Sequence, residues 1–119
     1  MKFEPSRIYG YAGMTAKIQL REQNRVRPIE AKQVIVFTSV DRTSAIIVDI
    51  DGDNLFPIKI NKQEDGLELI LTTDEPSLIL YRDPKTEETT TLDICIIPPH
   101  NHYEGRGGPA CGSYDQFSI

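Results

Sequence analysis

Tryptophan is absent from this chain, and cysteine and histidine occur only twice each in 119 residues. Without Trp there is no Cys…Trp…Cys core of the antibody type. Two cysteines do not make the disulfide framework on which small secreted scaffolds rely. In a reducing compartment both are expected as free thiols. No segment approaches the roughly 18 apolar residues of a membrane span. The opening Met1–Gly13 lacks the apolar h-region of a secretory signal, so the expected product is soluble, made in the cytoplasm and without a membrane partner. Basic residues are outnumbered: 13 Lys and Arg against 18 Asp and Glu give a net charge of −5. That balance argues against nucleic acid as a partner, because duplex binding draws on a basic surface. Arg7, Arg21, Arg25 and Arg27 gather in the first quarter and read as a solvated strand and loop face.

A sustained 3.6-residue period is missing too, and what is present is a period of two. Thr15–Leu20 alternates Thr15, Lys17 and Gln19 with Ala16, Ile18 and Leu20, the pattern of a half-buried strand. Gln33–Thr38 is a continuous β-branched run, suited to a strand covered on both faces. Ser44–Ile50 follows a polar turn. Leu55–Ile60 follows an Asp-Gly hairpin signal, and Pro57 inside it marks an edge strand or a bulge. Gly66–Thr72, Ser77–Arg82 and Thr89–Ile97 complete about seven strands separated by turn residues. One helical turn is expected around Thr72–Leu80, with Thr73 or Asp74 as its N-cap and Pro76 in its first turn. The chain is long enough for one domain with its own core. The pattern predicts an all-β fold, a small antiparallel Ig-like sandwich. It divides into an N-terminal lead (1–13), the sandwich (14–97) and an extended Pro/Gly-rich C-terminal arm (98–119). The expected core is Ile18, Leu20, Val34, Val36, Ile46, Val48, Leu69, Leu71, Leu80, Leu92, Ile94 and Ile96.

Residues able to carry chemistry are few. Asp49, Asp51 and Asp53 alternate as in calcium loops. The sixth and twelfth positions of such a loop are here Asn54 and Ile60, so the segment reads as a hairpin turn. His100 and His102 would point the same way in an extended chain, and three chains around an axis would offer six nitrogens to one ion. This is similar to the His-x-His sites in the tips of phage tail fibres and spikes, but the repetitive intertwined strands of such tips are not present. Cys95, His100, His102 and Cys111 are all zinc-ligand types, at a spacing that fits no standard site. No G-x-S-x-G, H-E-x-x-H or P-loop occurs. Both histidines lie in the Pro/Gly-rich tail, away from any rigid frame that catalysis requires. The expectation is a non-enzyme with no cofactor and no metal.

Residues 14–97 resemble the N-terminal β-sandwich modules of upper-baseplate and other tail-associated structural proteins of tailed bacteriophages. The resemblance rests on Ile18 and Leu20, on Leu67, Leu69, Leu71, Thr72 and Glu75, and on Leu92, Asp93, Ile94 and Ile96. The Gly-x-Tyr lead into the last strand is replaced here by Lys85–Thr91. The resemblance implies a virion protein: a tail or baseplate adaptor or a decoration protein in a homo-oligomer or other symmetric assembly, with other virion structural proteins as partners. Extended arms that order on a neighbour use aromatic anchors and glycines. On that basis Tyr103, Tyr114, Phe117 and Ile119 are the expected partner-binding residues, and the terminal Phe117–Ile119 is suited to add as a strand to a neighbour's sheet edge. Two other readings stand beside this one. A carbohydrate- or host-surface-binding module would use Tyr9, Tyr11, Tyr81, Tyr103 or Tyr114 as its platform. A small acidic cytoplasmic inhibitor or regulator would suit the pI near 5.0.

Overall fold

A computed structural model of the chain describes residues 1–38, 45–97 and 110–112. The alternating segments do form strands, and among the described residues there are eleven and no helix. They are β1 (Lys2–Glu4), β2 (Arg7–Gly10), β3 (Thr15–Glu22), β4 (Arg25–Arg27), β5 (Gln33–Thr38), β6 (Ala45–Asp49), β7 (Ile58–Gln63), β8 (Gly66–Leu71), β9 (Ser77–Arg82), β10 (Thr89–Ile96) and β11 (Ala110–Cys111). One sheet runs β1-β3-β8-β7, with β4 also on β3; the other runs β11-β10-β9-β5-β6, with β2 on the far side of β10. All pairings are antiparallel except β2 with β10. This is the ABED and GFC arrangement of the immunoglobulin sandwich with β6 added as C′. The all-β, Ig-like sandwich expected from the sequence is therefore the observed fold.

The core lies between the sheets. From the first sheet come Phe3, Ile18, Leu20, Ile58, Ile60, Leu67, Leu69 and Leu71; from the second come Ile8, Val34, Val36, Val48, Ile79, Tyr81, Leu92, Ile94 and Ile96. Tyr81 and Phe3 meet edge-on, with ring centroids 5.8 Å apart, and supply the large inward side chains of a sandwich without Trp. The Tyr81 ring is fully buried. Its hydroxyl accepts the backbone N–H groups of Glu30 at 3.1 Å and Ala31 at 3.4 Å, so the polar tip is satisfied while the ring fills the core.

Several expectations change. Lys2–Glu4 and Arg7–Gly10 are strands of opposite sheets, so the sandwich begins at residue 2 and not at 14. The chain changes sheet between them, where the Glu4–Pro5 peptide is cis. The helical turn is absent: Thr73 Oγ1 accepts the N–H of Glu75 and Asp74 accepts that of Ala12. The Thr73 bond is the local turn chemistry that competes with helix, while Asp74 is spent on a contact 62 positions away. Pro57 precedes β7 and is not inside it, and β7 is indeed an edge strand. Leu80 is only half-buried, while Ile79 and Tyr81 point inward. Ile46 packs against the core but is likewise not fully buried. The hairpin of β3 and β4 turns on Gln23 and Asn24, with φ of 51° and 69°, the two-positive-φ geometry of a type I′ turn.

Ile79→Ala should cost about 2–5 kcal/mol by the cavity it leaves, and Leu80→Ala clearly less; denaturant melts of the pair check the register of β9. Tyr81→Phe should cost about 1–3 kcal/mol, because the N–H groups of Glu30 and Ala31 lose their acceptor. A Tyr81→Phe variant as stable as the parent would show that water replaces the hydroxyl there.

Candidate interaction face and the root of the C-terminal segment

The side of the second sheet turned away from the core is built by the less buried half of each alternation. β5 turns Gln33, Ile35 and Phe37 outward, β6 turns Ala45, Ile47 and Asp49, and β9 turns Leu78, Leu80 and Arg82. The register lines these up in rows. Ile47 lies opposite Ile35, and Ile35 opposite Leu80; Ala45 lies opposite Phe37, and Phe37 opposite Leu78. The result is an apolar band across three strands, with Gln33, Asp49 and Arg82 around it. A shallow groove of about 330 Å³ runs along it between Gln33, Val34, Ile35, Ile47, Leu80, Arg82 and Thr89. An apolar centre with a polar rim is how protein–protein interfaces are composed.

Next to this band the outward row of β10 is polar, exposed at Thr89 and Thr91 and buried at Asp93 and Cys95. Asp93 receives Arg7 through Nη2 at 3.1 Å and Nε at 3.2 Å. A carboxylate removed from water needs such a partner. One position on, Cys95 lies opposite Cys111 of β11, and the two form a disulfide with Cα atoms 3.9 Å apart. This corrects the expectation of free thiols and removes both sulfurs from a zinc set. The close approach follows from the ladder: Gly112 N–H bonds Ile94 O at 3.2 Å, which makes Cys95–Cys111 a non-hydrogen-bonded pair, the narrow kind. The 16-residue separation corresponds to roughly 3 kcal/mol of stabilisation in the chain-entropy account.

β11 occupies the lane of β9 along β10, end to start. Gly112 meets Ser77, and a Cβ at 112 would sit 2.0 Å from the Ser77 carbonyl oxygen. Only glycine fits where one strand stops and the next begins. The disulfide and this glycine fix the end of the last described segment against β10 and β9.

At the end of the sandwich formed by the β3–β4 and β9–β10 turns, Arg27 holds three carboxylates. Its Nη2 meets Asp83 Oδ2 and its Nη1 meets Glu22 Oε1, each at 2.5 Å, with Glu88 at 3.9 Å. Asp83 is buried and also accepts the backbone N–H groups of Lys85 at 2.8 Å and Thr86 at 3.1 Å. Those two N–H bonds first, and then the charge of Arg27, hold its carboxyl below the usual Asp range.

The expected partner-binding residues Tyr103, Tyr114, Phe117 and Ile119, with His100 and His102, lie outside the described residues. Of the aromatic platforms considered, Tyr81 is core, while Tyr9 and Tyr11 are exposed at the β2 edge. Asp49, Asp51 and Asp53 are not drawn together. Asp49 takes the side chain of Gln33, its cross-strand partner, and Asp51 takes the N–H of Lys62. The hairpin expected here is corrected: β6 and β7 lie in different sheets, so Asp51 and Gly52 turn the chain from one sheet to the other. Among the described residues the one grouping of ligand types is Asp93, Cys95 and Cys111, with its sulfurs bonded to each other. What sequence reasoning missed is the outer apolar band. Its signal was available in the continuous apolar runs at 34–37 and 78–81, which leave no polar side for water. No family model, curated protein or solved structure matches this chain.

The depressed carboxyl of Asp83 sets a direction for pH. Its stabilisation is complete above the unfolded-state pKa of about 3.9 and fades as pH falls through the lower folded value. Asp83→Asn should lower the melting temperature at neutral pH and flatten the fall in stability below about pH 4. A parallel pair of stability–pH curves would contradict this.

Proposed function

We propose that this chain is a non-enzymatic structural protein of a bacteriophage particle, a tail or baseplate adaptor or a decoration protein. It contacts neighbouring virion proteins through the segment that follows the sandwich. Its place is the virion, after synthesis in the host cytoplasm. The resemblance carried by residues 14–97 motivates the setting, and the Ig-like sandwich is compatible with it, although a fold alone does not fix a function.

The observation that carries the contact role is the pinned root at Cys111 and Gly112. A recognition segment loses less entropy on binding when its base is already fixed. The disulfide and the glycine seat supply that base, and the sequence beyond it offers Tyr114, Phe117 and Ile119. A disulfide also suits a particle that works outside the cell, since virion surfaces are among the oxidising environments where disulfides persist.

A chain ending at Gly112 keeps β11 and the disulfide. It should melt within a few degrees of the parent and fail to enter particles or oligomers when it replaces the full chain. Particle proteomics and a thermal melt give both readings. A truncated chain that incorporates at the parental level removes the contact role from residues 113–119. One that no longer folds places those residues in the domain's own core.

A further inference from the structure

Open sheet edges invite pairing, and proteins blunt them with charge, proline or brevity. Most edges here are guarded in that way. β1 carries Lys2 and Glu4, β2 carries Arg7, β4 carries Arg25 and Arg27, β7 carries Lys59 and Lys62, and β11 is two residues long. β6 ends the second sheet and has no charge from Ala45 to Val48. Its Ile47 is 60% exposed, on the apolar band.

The backbone of β6 can be accounted for group by group. Ile50 N–H bonds Lys32 O at 2.9 Å, which places the even-numbered residues of β6 in hydrogen-bonded pairs with β5. The N–H and C=O groups of Ala45, Ile47 and Asp49 therefore point away from the sheet. Those of Asp49 are met locally: its N–H bonds Asn54 Oδ1 at 3.3 Å, and its C=O accepts Gly52 N–H at 3.3 Å. Ala45 and Ile47 have no such partner among the described residues. The ladder positions open on this edge are those two.

We propose that β6 pairs antiparallel with β6 of a second copy of this chain, Ala45 of each protomer opposite Ile47 of the other. Two residues spaced by two, both with outward backbone groups, are complementary to themselves about a twofold axis at Ile46. Each Ala45–Ile47 pair exchanges two N–H···O=C bonds, and the axis doubles them. This is the isologous, closed arrangement most common among dimers. Charge favours the same partner and register. In a chain of net charge −5, an uncharged strand is where two copies approach without repulsion. The one carboxylate of β6, at Asp49, falls beyond the pairs just described. The rows Ile47–Ile35–Leu80 of the two copies then lie on one face of a continuous sheet, with the two Ile47 side chains beside the seam. This contact uses a different strand from the C-terminal segment and stands or falls separately from it.

The test uses the full chain with its disulfide intact, by sedimentation equilibrium over a concentration series. The parent should dimerise, and Ile47→Lys should weaken the association about tenfold or more with its melting temperature at monomeric concentrations unchanged. Ile47→Val, which keeps the strand uncharged, should associate like the parent. Mixing Ala45→Cys chains with Ile47→Cys chains should give an oxidised cross-linked heterodimer in higher yield than either chain alone. A parent that stays monomeric throughout the series, an Ile47→Lys variant that dimerises as the parent does, or cross-linking no better in the mixture overturns the proposal.

Discussion

β10 is the strand on which β2, β9 and β11 all depend. It takes β2 along one side and first β9, then β11, along the other. Every residue from Leu92 to Ile96 is buried. Leu92, Ile94 and Ile96 face the core, where sandwiches gain most of their stability from apolar area removed from water. The residues between them face outward and cannot be apolar filler without losing their partners. Asp93 is answered by Arg7, 86 positions earlier in the chain, and Cys95 by Cys111. One strand therefore carries a hydrophobic contact, an ion pair and a covalent bond, and through them it fastens β2 and the last described strand, β11, to the same place.

The far end of the sandwich is organised by polar contacts of another kind. Arg27 follows the β3–β4 turn and Asp83 begins the β9–β10 turn, so their ion pair ties a turn of one sheet to a turn of the other. Tyr81, two residues before Asp83, bonds the backbone at Glu30 and Ala31. The chain between β4 and β5 is thus held by the same strand end. Leaving either partner of such a buried pair alone costs more than the pair itself contributes, which makes these residues structural despite their charge and polarity.

Most of the sandwich was legible because its strands are long enough to show a period. β5 and β9 were read to the residue, and β3, β6, β8 and β10 to within two. β1, β2 and β4 have three or four residues each, too few for an alternation to declare itself, and β4 hangs on a Gln-Asn turn without the glycine that signals type I′. In β9 both alternations, Leu78 with Leu80 and Ile79 with Tyr81, are apolar, so the sequence does not choose between faces; pairing with β5 and β10 does. β11 is two residues fixed by a partner 16 positions back, and a count of two cysteines says nothing about whether they are neighbours in space. The chemistry of the interaction face was the least legible part. It consists of residues that look like core and of backbone groups whose direction depends on strand register.

The central claim is that the folded domain extends through Gly112, with β11 seated beside β9 on β10. Amide hydrogen exchange measured residue by residue tests it directly. With the disulfide intact, the N–H of Gly112, bonded to Ile94 O, should exchange slowly, in the range of Asp93 N–H on Ser6 O and Ile97 N–H on Gly10 O. Exchange of Gly112 at the rate of an unstructured chain, while Asp93 and Ile97 stay protected, would show that β11 is not part of the sheet and that the C-terminal segment has no fixed root.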